Sequence, residues 1–126
     1  MKPEASDILD ISAGQLMGLI PSLSASYQQS ATAVHALLIK FAAREYERGA
    51  EIRAAENADI RTLLAELAPE ATAPEDTSLA ISALNAVNAE LRRRLIALHA
   101  QADAATNKRI WRLLKDMAAR RAVPLF

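Results

Sequence analysis

The sequence predicts an all-α protein, an antiparallel bundle of four to five helices, and three observations carry that prediction. Alanine supplies 28 of the 126 residues, and alanine loses no side-chain entropy in a helix. Three glycines and five prolines are too few for the turns of an all-β fold. Apolar residues recur at steps of three and four along most of the chain, the period of one helix face.

The first helix begins at Pro3, which suits a first helical turn, with Glu4 and Asp7 complementing the helix dipole. Leu9, Ala13, Leu16 and Ile20 form its apolar stripe, and Pro21 ends it. Ser22 or Ser24 is placed to cap a second helix. That helix carries the longest stripe in the chain: Leu23, Tyr27, Ala31, Val34, Leu38 and Phe41 keep one face for more than five turns. It is expected to end near Gly49 in a left-handed C-cap, although running on through Gly49 would cost only about 1 kcal/mol. At about 26 residues, or some 39 Å, it is longer than a small bundle requires, so it either projects or dimerises.

A third helix is expected from about Ala50 to Ala68, with Ile52, Ile60, Leu63, Leu64 and Leu67 buried. Pro69 forces an exit, and PEATAPEDT, residues 69–77, is a linker with two prolines and three acids. Thr77 or Ser78 caps a fourth helix with the stripe Leu84, Val87 or Asn88, Leu91, Leu95 and Leu98. AQADA turns the last corner, with Asp103 as the cap of a fifth helix. Its stripe is Ile110, Leu113, Leu114 and Met117, and Pro124 ends it. Short connections make antiparallel neighbours whose stripes meet in a common core. The whole is read as one helical-bundle domain, 1–126, with helices over 3–68 and 78–122.

Charge divides the chain at the same linker. Met1–Thr77 holds 6 basic and 12 acidic residues, and Ser78–Phe126 holds 9 and 3, so the halves carry −6 and +6 within a net charge of zero. The simplest use of that split is packing of acidic against basic helices. Its functional alternative is a basic surface for phosphate groups or an acidic partner. Arg92, Arg93 and Arg94 point in three directions about 100° apart on a helix. They form no single edge for reading a nucleic-acid groove, no helix-turn-helix signature is present, and 4% aromatic content is thin for single-strand stacking. Nucleic acid is therefore disfavoured as a partner.

Other classes fall away by chemistry. With no cysteine, disulfides, thiolate nucleophiles and cysteine metal sites are absent. The di-metal carboxylate bundle needs Glu-x-x-His, but His35 follows Thr32 and His99 follows Ile96 at that spacing. Gly14, Gly18 and Gly49 are isolated, so no phosphate-cradling loop exists. No catalytic residue, metal site or cofactor is assigned. Residues 8–20 are too short and too interrupted to span a bilayer, and MKPEASDILD lacks the basic and apolar regions of a secretory signal. A cytoplasmic location without membrane attachment is expected. His35 and His99 are read as boundary residues, and Tyr27 and Trp111 as core or interface packing.

Polar residues that fall on apolar stripes are more informative, because burying one without a partner costs about 1–3 kcal/mol. Glu56 interrupts Ile52 and Ile60, Asn88 interrupts Leu84 and Leu91, and Glu45 extends the second stripe beyond Phe41. With Arg44, Arg53 or Arg94 as counter-charge they define a candidate site, Glu45, Glu56, Asn88 and Arg94. It is either a buried network that sets helix register or a polar pocket for a small ligand.

The segments AREYERGAEIRAAENADIRTLL, Ala43 to Leu64, and LNAVNAELRRRLIALHA, Leu84 to Ala100, resemble small uncharacterised bacterial helical proteins. Those proteins are associated with genes for phosphotransferase-like kinases and acyl-CoA dehydrogenases. The resemblance covers roughly a third of the chain, includes no motif of known chemistry and transfers no functional residue. It implies an accessory or partner-binding role in acyl-CoA metabolism. The leading expectation is a non-catalytic interaction or accessory protein that forms a homo-oligomer, with a dimer favoured, and that engages a protein partner. A binder of an acyl or phosphate-bearing small molecule, or an unconventional enzyme, stands second, and a nucleic-acid-binding regulator last.

Overall fold

The computed structural model describes residues 4–122, and the expectations for Pro3 and Pro124 lie outside them. The described residues are all-helical, with four α-helices: α1 (Ala5–Leu19), α2 (Ser26–Leu67), α3 (Ile81–Ala100) and α4 (Ala104–Arg121). A 3₁₀ turn, Ile20–Ser22, follows α1. They form two compact units, one extending to Gly49 and the other comprising Ala50–Ala122.

In the first unit, Glu4 is the N-cap of α1, and its backbone N–H donates to Asp7 Oδ2 at 3.3 Å. Pro21 sits inside the 3₁₀ turn. Ser22 does not cap α2; its hydroxyl donates to the Leu19 carbonyl at 2.7 Å and so closes α1. Ser6 Oγ donates to Glu47 Oε2 at 3.1 Å, which sets α1 antiparallel to this part of α2. The α1 stripe is the expected one, with Ala13 fully buried and Leu9, Leu16 and Ile20 half-buried.

The expected break at Gly49 is absent, since α2 runs on to Leu67. A left-handed cap requires positive φ, and no described glycine has it. The residues after Gly49, AEIRAAENADIRTLLAEL, are good helix formers, and a single glycine costs too little to stop them. Two expected helices are therefore one, and the described residues hold four α-helices.

The second unit has the larger core. Ile60, Leu63 and Leu64 of α2, Leu91 and Leu95 of α3, and Ile110 and Met117 of α4 pack as one buried cluster, on the stripes that the periodicity predicts. Asp103 caps α4 by accepting from Thr106 N–H at 2.8 Å. That backbone hydrogen bond first, and then one from the Thr106 hydroxyl, hold its carboxyl below its usual value. The α3 cap differs from expectation: Ala80 precedes the helix, and Ser78 Oγ accepts from the Ala80 N–H at 3.0 Å.

Helix directions in this unit follow from who bonds to whom. Arg109 pairs with Glu66, Arg120 with Asp59 and Arg121 with Glu56, so α4 is antiparallel to α2. His99 meets Asn107 at 2.6 Å across the α3–α4 corner, which makes that hairpin antiparallel as expected. The pair α2 and α3 is different. Arg53 bonds Asn85 at 2.6 Å, and Asn57 bonds the carbonyl of Leu84 and, through its Oδ1, Asn88, so these two helices run in the same direction. The linker makes this possible. Residues 68–80 hold no helix and return along α2, with Pro74 O accepting from Arg61 Nε at 3.0 Å and Asp76 Oδ1 accepting from Asn57 at 2.9 Å. An extended return of that length replaces the tight turn that an antiparallel pair would need. The proline-rich stretch lies within the second unit and is packed there.

Glycine in α1 gives a direct test of helix energetics. A Cβ built at Gly14 meets no atom within 4 Å, and the position is helical. Gly14→Ala is expected to stabilise the protein by about 0.5–1 kcal/mol, seen as a higher denaturant midpoint with an unchanged slope.

Candidate functional site

The strongest chemical feature is a carboxylate with no access to solvent. Glu56 lies between Ile52 and Ile60 on the inner face of α2 and is 0% exposed. Burial of an ionised carboxyl is prohibitive without compensation, and compensation arrives from two helices. Arg121 at the end of α4 donates through Nε to Oε1 and through Nη2 to Oε2, both at 2.7 Å, the bidentate arrangement that a guanidinium makes with a carboxylate. Arg92 of α3 adds Nη2 at 3.4 Å from Oε2, and Asn88 Nδ2 donates to the same oxygen at 3.3 Å.

The network continues without a gap. Asn88 Oδ1 accepts from Arg92 Nε at 2.7 Å, while its Nδ2 also donates to Asn57 Oδ1 at 2.9 Å. Asn57, itself 0% exposed, donates to Asp76 Oδ1 and to the Leu84 carbonyl. Asp76 in turn is paired with Arg61 at 3.3 Å. Every polar atom of the three buried side chains Glu56, Asn57 and Asn88 has a protein partner.

Burial is the largest single influence on the Glu56 carboxyl and raises its pKa. The hydrogen bond and charge of Arg121, followed by the charge and hydrogen bond of Arg92, together outweigh it and hold the group below its usual value. Glu56 is therefore ionised at neutral pH. A carboxylate whose lone pairs are occupied by two arginines and an amide is a poor general base and has no lone pair directed at open space. The arrangement ties α2 to α3 and α4 through occupied hydrogen bonds.

Of the four residues singled out by sequence, the structure brings Glu56 and Asn88 together. Glu45 is solvent-exposed in the first unit. Arg94 turns to another side of α3, where its Nε donates to Glu90 Oε1 at 3.3 Å and its Nη1 donates to the Thr72 carbonyl. There it borders a cleft of ≈ 300 Å³ walled by Leu64, Ala73, Ala97 and Leu98. The counter-charges are Arg92 and Arg121. Both were accessible to periodicity: Arg92 stands four residues after Asn88, and Arg121 continues Ile110, Leu114, Met117 at the next step of four. Asn57 likewise continues Leu64 and Ile60 toward the N-terminus at steps of four and three. Asp76 left no signal, because it sits in an irregular segment.

The remaining singled-out groups have local partners. His35 Nδ1 donates to the Ala31 carbonyl at 2.7 Å, and His99 contacts the Trp111 ring edge-on with centroids 5.7 Å apart. Tyr27 and Trp111 are 83% and 54% exposed, so neither is a core residue. Among the described residues, no three His, Asp or Glu side chains gather in a metal-binding group, and no helix is long and apolar enough to cross a membrane. Comparison with protein-family models, curated proteins and solved structures finds no match.

Two experiments follow from this geometry. Removing one partner of a buried ion pair costs about 3–5 kcal/mol when both are buried. The Arg121 side chain is 41% exposed, so solvent screening brings the expected loss for Arg121→Met to about 2–3 kcal/mol. Arg92→Met, which gives up only a 3.4 Å contact to the carboxylate and one amide bond, is expected to lose about half as much by chemical denaturation. In the double variant Glu56→Gln/Arg121→Met the losses are sub-additive, and simple additivity would contradict the pairing.

The pH dependence has a fixed sign. The folded pKa of Glu56 is depressed, so its stabilisation is fully present above the ordinary glutamate value of about 4.3 and is lost as pH falls through the lower folded value. Thermal melts between neutral pH and pH 3 are expected to show a shallower acid decline for Glu56→Gln than for the native chain.

Proposed function

We propose that this chain is a non-catalytic helical interaction module that self-associates through its first unit and serves in the cytoplasm as an accessory to another protein. One observation supports the reading above the rest: the first unit buries small residues and exposes large ones. Its fully or nearly buried hydrophobic residues, among those described, are Ala13, Ala36 and Ala43. Its exposed ones include Ile8, Ile11 and Leu19 on α1 and Tyr27, Val34, Leu38 and Phe41 on α2.

Four of the six residues that read from sequence as the core stripe of the second helix are thus exposed, while Leu23 and Ala31 are half-buried. At about 100° per residue, Tyr27, Val34, Leu38 and Phe41 lie between roughly 140° and 200° from Ala36, on the opposite side of α2 from its buried alanines. Covering a valine, leucine or phenylalanine is worth roughly 1.5–3 kcal/mol per side chain, and a line of such groups on one helix marks an interaction surface. The second unit, whose polar network is occupied by its own side chains, supports a scaffold role. The resemblance to small uncharacterised bacterial helical proteins implies an accessory role as well and transfers no residue.

Light scattering of the intact chain is expected to give a mass above that of the monomer. Val34→Lys and Leu38→Lys, both at exposed positions, are expected to weaken association by roughly tenfold or more each while helical circular dichroism is unchanged. A native chain that is monomeric throughout would remove the proposal.

A further inference from the structure

Resting on the reading of the first unit as a self-associating surface, we propose that the α2 stripe is covered by the same stripe of a second copy, laid antiparallel. The two-fold axis then lies midway between Val34 and Leu38. The spacing of five exposed residues and the half-buried Ala31 is the first argument. Tyr27, Ala31, Val34, Leu38, Phe41 and Glu45 follow steps of 4, 3, 4, 3 and 4, an uninterrupted heptad seam. Ala31, Leu38 and Glu45 occupy a positions, and Tyr27, Val34 and Phe41 occupy d positions.

Size selects the orientation. With the axis between Val34 and Leu38, every layer of the antiparallel pair sets an a residue against a d residue. Leu38 meets Val34 of the copy, and Ala31, the small member of the seam, meets Phe41, the bulkiest apolar one. A methyl group opposite an aromatic ring fills each layer evenly, as close packing requires. Parallel pairing would instead set Ala31 on Ala31 and Phe41 on Phe41, leaving one layer underfilled and another overfilled.

Charge selects the same orientation. In a parallel pair Glu45 would face Glu45 across an a layer, a like-charge contact that carries a penalty. In the antiparallel pair the two Glu45 carboxylates lie at opposite ends of the seam, each beside Tyr27 of the other copy, whose phenol is a hydrogen-bond donor. Flanking the seam, Gln28 falls near Ala42 of the copy and Ser30 near Arg44, so those positions bring no two like charges together.

The test uses the intact chain, which has no cysteine of its own, so a single introduced thiol takes a spin label uniquely. Gln28→Cys and Ala42→Cys are at exposed positions off the seam. For the proposed axis, the two labels of a Gln28→Cys dimer are offset along the helix by about 24 Å, and those of Ala42→Cys by about 18 Å, at 1.5 Å per residue. Dipolar distances that reproduce both offsets, in that order, support the proposal. A dimer in which both sites give short distances of about 10 Å, the helix-to-helix spacing, is parallel and overturns it while leaving self-association intact. A dimer with both distances much longer uses another surface, with the same consequence. A monomer by light scattering overturns both readings and leaves the seam to a different protein.

Discussion

A carboxylate sealed from water must be met by cations and donors held at fixed distances, and in this protein that requirement organises the second unit. Glu56 draws Arg121 from α4 and Arg92 and Asn88 from α3, while its neighbour Asn57 draws in the return segment through Asp76. Apolar contacts among Ile60, Leu91, Ile110 and Met117 supply most of the attraction between helices, but they are non-directional and tolerate sliding by a turn. The hydrogen bonds do not. A shift of either α3 or α4 along its axis would strand a charge in the interior. Burying the pair is costly in itself, so its contribution is to exclude alternative registers more than to add net stability.

The same requirement explains how the acidic and basic parts of the chain are used. Glu56, Asp59 and Glu66 lie on α2, and the arginines that meet them, Arg121, Arg120 and Arg109, lie on α4. Three pairs in reversed order are a register code for an antiparallel contact. The other two pairs are partly solvent-exposed and contribute less to stability. Only the buried one carries a large penalty when mismatched.

Much of this was legible in the sequence and some was not, for identifiable reasons. Periodicity locates the stripes that form the core of the second unit, because the 3.6-residue repeat is local information, and it flags Glu56 and Asn88 as polar intrusions. It does not say what a stripe faces. The Tyr27–Phe41 series has a strong helical pattern yet Tyr27, Val34, Leu38 and Phe41 are all exposed to some degree, whereas Ala36 and Ala43, which carry no hydrophobic emphasis, are the buried positions. Gly49 reads as a stop only if a left-handed conformation is available and rewarded there, and strong helix formers on both sides override it. The parallel run of α2 and α3 depends on how residues 68–80 are laid down, and an irregular segment has no periodicity to read. Glu45 joins the candidate site by extending a stripe that turns out to be exposed, and Arg94 joins it by charge, which specifies sign but not direction. Arg92, two residues from Arg94 and so about 160° around the helix, is the one that reaches inward.

The bidentate arginine also has a bearing on synthesis. Arg121 follows Glu56 by 65 residues, and a ribosome delivers the chain from its N-terminus. Before Arg121 is made, Glu56 has available only the longer contacts from Arg92 and Asn88 of α3, and its bidentate partner is missing. The strongest polar contact of Glu56 is thus a long-range one, available only to a chain that extends through α4.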